Sequence, residues 1–564
     1  MNVMTFQLLS SGAFAPCVVP SCAGLKRSYP VWLTALAVGA GCLLHAQAHA
    51  QILNPLSDTT NLLMQDHLKR MEEAASAKKP PPTAPLAAPR PSAPASDVVV
   101  LINEIQFSKT QLLTPEELKE LGERYVGRRL GAGQIQALLD DVSLLYQNKG
   151  ILTGVPVLPK QDLQTGVLRI LLVEGRLGEV KVAEPGMAQV DWVKRWFDLE
   201  RNAVLTQEAL RERLVLFNTA SDFSATADMV AGAAFGQTDL SVAVNEGKRV
   251  QTWAFVERST ASTSPVQLAA GLRVVPFTIY GGRQDLSILA TSAGKTGTGS
   301  MSFPLGTGGW RTTLSGSLAR SESVVKGKDS SDLAIRGESA ALTWDVSRAW
   351  VLAAPWLAGT TLGVSKHRSQ TFLDTSDVPL LDRQSRKLSW LGTVEYDTPR
   401  QKGGLRGTFH VASETQNYRY AEFTGQWRHT LDEAGLWSVK AAGLLRLKPS
   451  GELSSMDRFY LGGQDSVRGF SLGAGSGDRG AATQLEMRRS LRDWGGESGE
   501  AYVFWDAGLA KDPTRVADDR LRSAGMGVQV KINDSLGLDA LASRQLSNPQ
   551  ASPSRLLLRL VYSH

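Results

Sequence analysis

From about Val250 to His564 the chain alternates apolar and polar residues with a period of two, the signature of strands that are apolar on one face and wet on the other. Trp310, Thr312, Leu314, Gly316 and Leu318 share one face of a segment. Trp437, Val439, Ala441, Gly443, Leu445 and Leu447 share another, with Ser438, Lys440, Arg446 and Lys448 opposite them. Leu556, Leu558, Leu560 and Tyr562 alternate against Arg555 and Arg559 near the end. Two architectures carry this alternation: a transmembrane β-barrel with lipid outside and water inside, and a soluble antiparallel sandwich.

Between Asp97 and Arg249 the period changes to short α/β units that repeat. Leu168 to Arg176 aligns without gaps on Leu240 to Lys248, and the same offset lays the helical stretch Gln134–Gln147 over Thr206–Thr219. Leu138 then matches Leu210, and Leu144 matches Leu216. One offset shared by a strand and a helix marks an internal repeat. The first unit predicts a strand over Val98–Phe107, two helices, a strand over Ile151–Leu158 and a strand over Val167–Val173. Thr114-Pro115-Glu116-Glu117 opens the first helix, with Thr114 as cap, Pro115 at the first helical position and Glu117 closing a capping box. Trp192 and Trp196 fit the core of the second unit.

Upstream, Leu62, Leu63, Leu68 and Met71 predict a short amphipathic helix within residues 51–78. Residues 79–96 carry Pro80, Pro81, Pro82, Pro85, Pro89, Pro91 and Pro94. Extended as polyproline II at about 3.1 Å per residue, that linker reaches roughly 55 Å, beyond a hydrocarbon core of about 30 Å. Residues 1–50 read as a signal peptide. Lys26 and Arg27 precede an apolar run, Val31–Leu44, too short to span a bilayer, and Ala48-His49-Ala50 supplies the cleavage pattern. Gly39 stands where a lipoprotein reading at Cys42 requires leucine. All three cysteines (Cys17, Cys22, Cys42) lie in this leader, so disulfide and thiolate-metal chemistry are not expected of the mature chain. The formal charge of +6 is spread along the chain without a basic, aromatic-rich block, which argues against nucleic acid as a partner. A leader, no cysteine beyond it and basic residues on the wet face together favour the barrel.

One arginine stands apart, within Phe459-Tyr460-Leu461-Gly462-Gly463-Gln464-Asp465-Ser466-Val467-Arg468-Gly469-Phe470, with Gly477-Asp478-Arg479-Gly480 following. A cation in such a glycine-rich stretch must be solvated, paired or functional. Further on, Phe504-Trp505-Asp506 sets an acid in an apolar strand. These segments resemble the VRG(F/Y) and FxD motifs of two-partner secretion transporters, the TpsB or haemolysin secretion/activation type within the BamA-like POTRA-barrel superfamily. The βααββ units, with Gln161-Asp162-Leu163 and Val173-Glu174-Gly175, resemble POTRA domains.

The resemblance implies a transmembrane antiparallel β-barrel of about 16 strands over residues 250–564, preceded by POTRA domains at 97–176 and 177–249, and by a plug helix and linker. It implies a lumenal loop tip at Val467, Arg468, Gly469 and Phe470, and a barrel-wall partner at Phe504 and Asp506. It implies an outer-membrane location with the POTRA domains in the periplasm. The implied function is export of a large β-helical exoprotein, adhesin-like or haemolysin-like, captured through the POTRA domains, after insertion of the barrel into lipid by the barrel assembly machinery. A BamA-like assembly factor is the alternative, although such chains usually carry more POTRA domains. Three features depart from the family: Val256-Glu257-Arg258-Ser259-Thr260 in the first strand, a last residue other than phenylalanine, and a long leader.

No catalytic residue, metal or cofactor is expected. Gly469-Phe470-Ser471-Leu472-Gly473 satisfies GxSxG, but that elbow needs a helix after it, and Ala474-Gly475-Ser476-Gly477 starts one poorly. Gly294-Lys295-Thr296 resembles the end of a phosphate-binding loop, yet its first glycine is replaced by Leu289. His67, His367, His410, His429 and His564 lack ligand spacing.

Overall fold

The computed structural model describes residues 99–564, apart from 184–185, 187, 261–264, 277–278, 326–332, 374–375, 452, 454–456, 493–498 and 548–552. The signal peptide, amphipathic helix and proline-rich linker read above lie outside the described residues.

The capping box forms as its residues dictate. The Thr114 amide donates to the Glu117 carboxylate at 2.8 Å, the Glu117 amide donates back to the Thr114 hydroxyl at 3.3 Å, and helix α1 runs Pro115–Glu123. Helix α2, Ala132–Asn148, buries Ile135, Leu138, Leu139, Val142 and Tyr146, one stripe at helical spacing. Both helices pack on a sheet ordered Glu104–Phe107, Val167–Glu174, Gly154–Val157, with the first pair parallel and the second antiparallel. The strand expected over Val98–Phe107 is broken. The Asn103 and Glu104 amides both donate to the Gly166 carbonyl, which ends one ladder and starts another. Val100–Ile102 pairs instead with Arg128–Leu130. The strand expected from Ile151 begins at Gly154, and Ile151 forms only a bridge to Thr206 in the next unit.

The second unit repeats the order: strand Arg176–Ala183, α3 Val190–Trp196, α4 Gln207–Ala220, then strands Ser224–Ala231 and Gln237–Asn245. Its sheet again has one parallel and one antiparallel pair. Leu138 and Leu210, matched by the repeat, are both fully buried. The other match diverges. Leu144 is 52% exposed, whereas Leu216 is 7% exposed because α4 lies against the barrel, beside Ala349 and Gly309.

Sixteen antiparallel strands close into a barrel, the first (Val250–Ser259) pairing with the last (Ser554–Ser563). Closure removes the free edges that lipid could not satisfy. The alternation read from sequence holds: Trp310, Leu314 and Leu318 are exposed outward, as are Leu556, Leu558, Leu560 and Tyr562, while Arg555 and Arg559 are buried inside. Several strands exceed the ten residues that cross a bilayer, Leu333–Val351 reaching 19 and Trp356–Leu373 reaching 18. Their far ends carry ion pairs such as Arg336–Glu338 and Arg368–Asp382, suited to water above the membrane.

The second α/β unit is seated on the barrel's near rim. Asp222 accepts from Arg311 at 2.5 Å and from Arg283 at 3.3 Å, and Arg311 also donates to the Ala220 carbonyl at 2.7 Å. Arg211 reaches the Leu352 carbonyl at 2.8 Å. Trp196 is core, as expected; Trp192 packs on Tyr280 from a barrel turn, with ring centroids 5.9 Å apart.

Candidate functional site

The segment between the eleventh strand (Trp437–Ser450) and the twelfth (Arg479–Ser490) folds back into the barrel. A short hairpin, Phe459–Leu461 with Gly475–Gly477, stiffens it. Phe459, Leu461, Val467 and Phe470 are buried with Ala482, Ala510 and Leu521 of the wall, so the loop has a small apolar core of its own. Gly462 adopts a φ of +98°, and a Cβ there would meet the Ser471 carbonyl oxygen at 1.9 Å, so only glycine fits. Ser471 of the GxSxG match lies in this turn, and no helix follows it.

Arg468 sits at the tip. Its Nε donates to Asp506 Oδ2 at 2.9 Å and its Nη2 to Oδ1 at 2.6 Å, a two-pronged pairing, while its backbone amide donates to Oδ2 at 2.9 Å. Nη1 donates to Glu486 Oε1 at 2.5 Å. The guanidinium plane lies 3.8 Å from the centroid of the Phe504 ring. Strand alternation explains the set: in the thirteenth strand (Gly499–Lys511) Phe504 and Asp506 point inward and Trp505 outward. Glu486 stands opposite Phe504 in the ladder. Asp506 is fully buried and Arg468 is 4% exposed.

The rest of the tip is held by its backbone. The Gly469 amide donates to the Ser523 hydroxyl at 3.1 Å, and a Cβ on Gly469 would meet Ser523 Cβ at 2.6 Å. Gln545 donates to the Gly469 carbonyl at 3.0 Å. Arg555 of the last strand donates to the Arg468 and Phe470 carbonyls, each at 3.0 Å. Thus Val467, Arg468, Gly469, Phe470, Phe504 and Asp506 come together in one place.

Sequence reading missed Glu486, Ser523, Gln545 and Arg555. Glu486 also accepts from Arg488 at 2.5 Å, and Arg488 donates to Glu500 at 2.7 Å, so the charges alternate along the wall. The only sequence signal for these residues is their inward position, which many polar residues share. A second anchor was also missed. Asp457, at the base of the loop, accepts from Lys387 and from the Tyr418 hydroxyl, both at 2.7 Å, and from the Tyr420 hydroxyl at 2.9 Å. Among the described residues no cluster of histidine, cysteine and acid suited to a metal ion occurs.

Two sequence families match the chain: the POTRA domain of ShlB type over residues 100–175, and the haemolysin secretion/activation protein ShlB/FhaC/HecB over residues 282–531. The heme/hemopexin transporter protein HuxB of Haemophilus influenzae is 22% identical over 487 residues, covering 79% of this chain and 83% of its own. The outer membrane transporter CdiB of Dickeya dadantii is 23% identical over 416 residues, covering 68% and 72%. Among solved structures, CdiB from Escherichia coli superposes with a TM-score of 0.65 at 17% identity, covering 91% of this chain and 99% of that one, a likeness of fold. BamA from Haemophilus ducreyi lacking POTRA domains 1–3 gives 0.52 at 12% identity, covering 83% of this chain and 100% of that one. The chain therefore belongs to the ShlB/FhaC/HecB family and is a two-partner secretion transporter of the outer membrane, with its POTRA units on the periplasmic side.

Proposed function

We propose that this transporter exports one cognate exoprotein, a large β-helical adhesin-like or haemolysin-like chain, and that the Arg468 tip is the element the substrate displaces or threads past. The observation that carries the reading is Arg468 buried in the lumen and forked between Asp506 and Glu486. A guanidinium so enclosed needs an acid partner, and the wall supplies two. Val467 and Phe470 supply the apolar seat, Gly469 the close approach, and Phe504 the ring beneath the cation.

In this reading the POTRA units, residues 97–176 and 177–249, take the substrate in extended form along a sheet edge, by strand addition. Residues 1–50 are the leader, residues 51–78 plug the lumen, and residues 79–96 let that plug leave. The wall's acids and bases serve binding and support, and no covalent step is involved. Folding of the substrate outside supplies direction, since a net folding free energy of about 5–15 kcal/mol makes return of the folded chain through the lumen unfavourable.

The test is to look for a large secreted β-helical protein encoded beside this chain and to co-express the two. The reading expects that protein in the medium or on the surface only when the transporter is present, with other outer-membrane proteins at normal levels. Unchanged export without the transporter would overturn it. A general fall in outer-membrane proteins on its loss would instead favour a BamA-like assembly role.

A further inference from the structure

The outer face of the barrel is not uniformly convex. Across strands eleven to sixteen and the first strand it holds a cavity of about 950 Å³, running from Trp437 and Arg489 at one end to Arg258 and Thr260 at the other. Its floor is apolar and built from small or flexible side chains, among them Met526, Ala540, Ala542 and Leu558. These residues belong to the lipid-facing set of their strands, where Met526 and Leu558 are exposed.

Chain direction fixes which end is which. The first strand leaves the periplasmic POTRA unit at Val250 and ends at Ser259, so Arg258 lies toward the outer surface. Three arginines face outward on that side: Arg258 on the first strand, Arg522 on the fourteenth (Asp519–Lys531) and Arg544 on the fifteenth (Leu536–Gln545). Arg544 stands opposite Ala524 in the ladder, which makes it a diagonal neighbour of Arg522. Arg258 stands opposite Leu558 of the last strand, directly beside the cavity floor. Arg320 and Arg368, also outward on the rim, have carboxylates on them, whereas Arg386 and Arg419 have none among the described residues but do not line the cavity. No acid is paired with Arg258, Arg522 or Arg544 among the described residues. Residues 261–264 and 548–552, which lie outside the described residues, contain no Asp or Glu in sequence.

An arginine turned toward lipid is costly in hydrocarbon and is tolerated where its charge meets the headgroup layer. Three of them without acids call for an anionic partner, and guanidinium favours phosphate through paired hydrogen bonds. The cavity below calls for acyl chains. We infer that this face is a binding site for a phosphorylated glycolipid of the outer leaflet, with its phosphates on Arg258, Arg522 and Arg544 and an acyl chain in the groove below. The inference concerns the barrel exterior and stands apart from the lumenal loop and from the identity of the exported protein.

The test uses the full-length transporter purified in detergent and titrated with bis-phosphorylated lipid A, with binding followed by native mass spectrometry. The wild type is expected to hold lipid A stoichiometrically, and R258Q/R522Q/R544Q to bind at least tenfold more weakly while keeping the gel shift of a folded barrel. R386Q, an outward arginine on the eighth strand (Leu381–Asp397), should bind as the wild type does. Phosphatidylglycerol should compete poorly. Equal binding by wild type and triple variant would overturn the inference, as would phosphatidylglycerol binding as tightly as lipid A and lost in R489Q. If the triple variant fails to fold, R258Q and R544Q alone should each weaken binding severalfold, and unchanged affinity in both would be equally decisive against it.

Discussion

Gly469 shows how closely the loop tip is fitted. A methyl group there would stand 2.6 Å from Ser523 Cβ, in a wall that cannot retreat without breaking its ladder. Overpacking of this kind costs about 1–3 kcal/mol. G469A should therefore loosen the tip and lower export per inserted barrel, and S523G placed with it should restore part of the loss. Export by G469A equal to the wild type would contradict the close seating. Arg468 and Asp506 were legible in the sequence because each stands in a motif among residues of another kind. Glu486 and Arg555 were not, although the first holds Arg468 and the second holds its carbonyl. Alternation assigns both to the lumen, but only the path of the loop decides which inward residue meets the tip.

At the scale of elements, the two α/β units share a plan and differ in what lies beneath. L216A should remove a contact between α4 and the barrel and cost about 2–5 kcal/mol locally. L144A, its repeat partner on the exposed face of α2, should change stability by no more than about 0.5 kcal/mol. Hydrogen exchange along residues 207–220 and 132–148 reads both, and equal effects would remove the docking contact from the account. The repeat was visible in sequence as a shared period. The difference was not, because it depends on a surface more than ninety residues away. Helix α1 adds a pH effect. The Lys149 ammonium, 2.8 Å away, and the Thr114 amide hold the Glu117 carboxyl at about 2, below the ordinary 4.5. A lowered folded value means that its stabilisation is complete above about 4.5 and is lost as the pH falls toward 2. Amides of residues 115–123 should lose protection across that window, and E117Q should lack this pH dependence. Identical profiles in both proteins would count against the capping box as its source.

Over the whole molecule the closure of the barrel and the seating of the loop are linked. Glu257 and Arg559 pair directly across the seam between first and last strands, and the last strand also supplies Arg555 to the tip. The Val256–Thr260 departure from the family pattern is thus where the chain places its own seam pair. E257A leaves a buried guanidinium without its carboxylate, which costs about 3–5 kcal/mol. It should lower the temperature at which the barrel unfolds on semi-native gels, while E257D should keep most of it. The strands were legible from their two-residue period, and the leader, the cysteine-free remainder and the basic wet face favoured a barrel over a sandwich. The count of strands came from family resemblance, since strands of 17–19 residues outrun any length that membrane thickness alone dictates.

The most direct measurement is secretion of the partner from intact cells carrying R468A, D506A or the charge-swapped double variant R468D/D506R, with barrel levels followed in each. Loss of one member of a buried pair costs about 3–5 kcal/mol. Each single variant should therefore reduce export at least tenfold with the barrel still inserted, and the swap should recover a measurable part. Normal export in all three would contradict the claim that the Arg468–Asp506 pair serves transport.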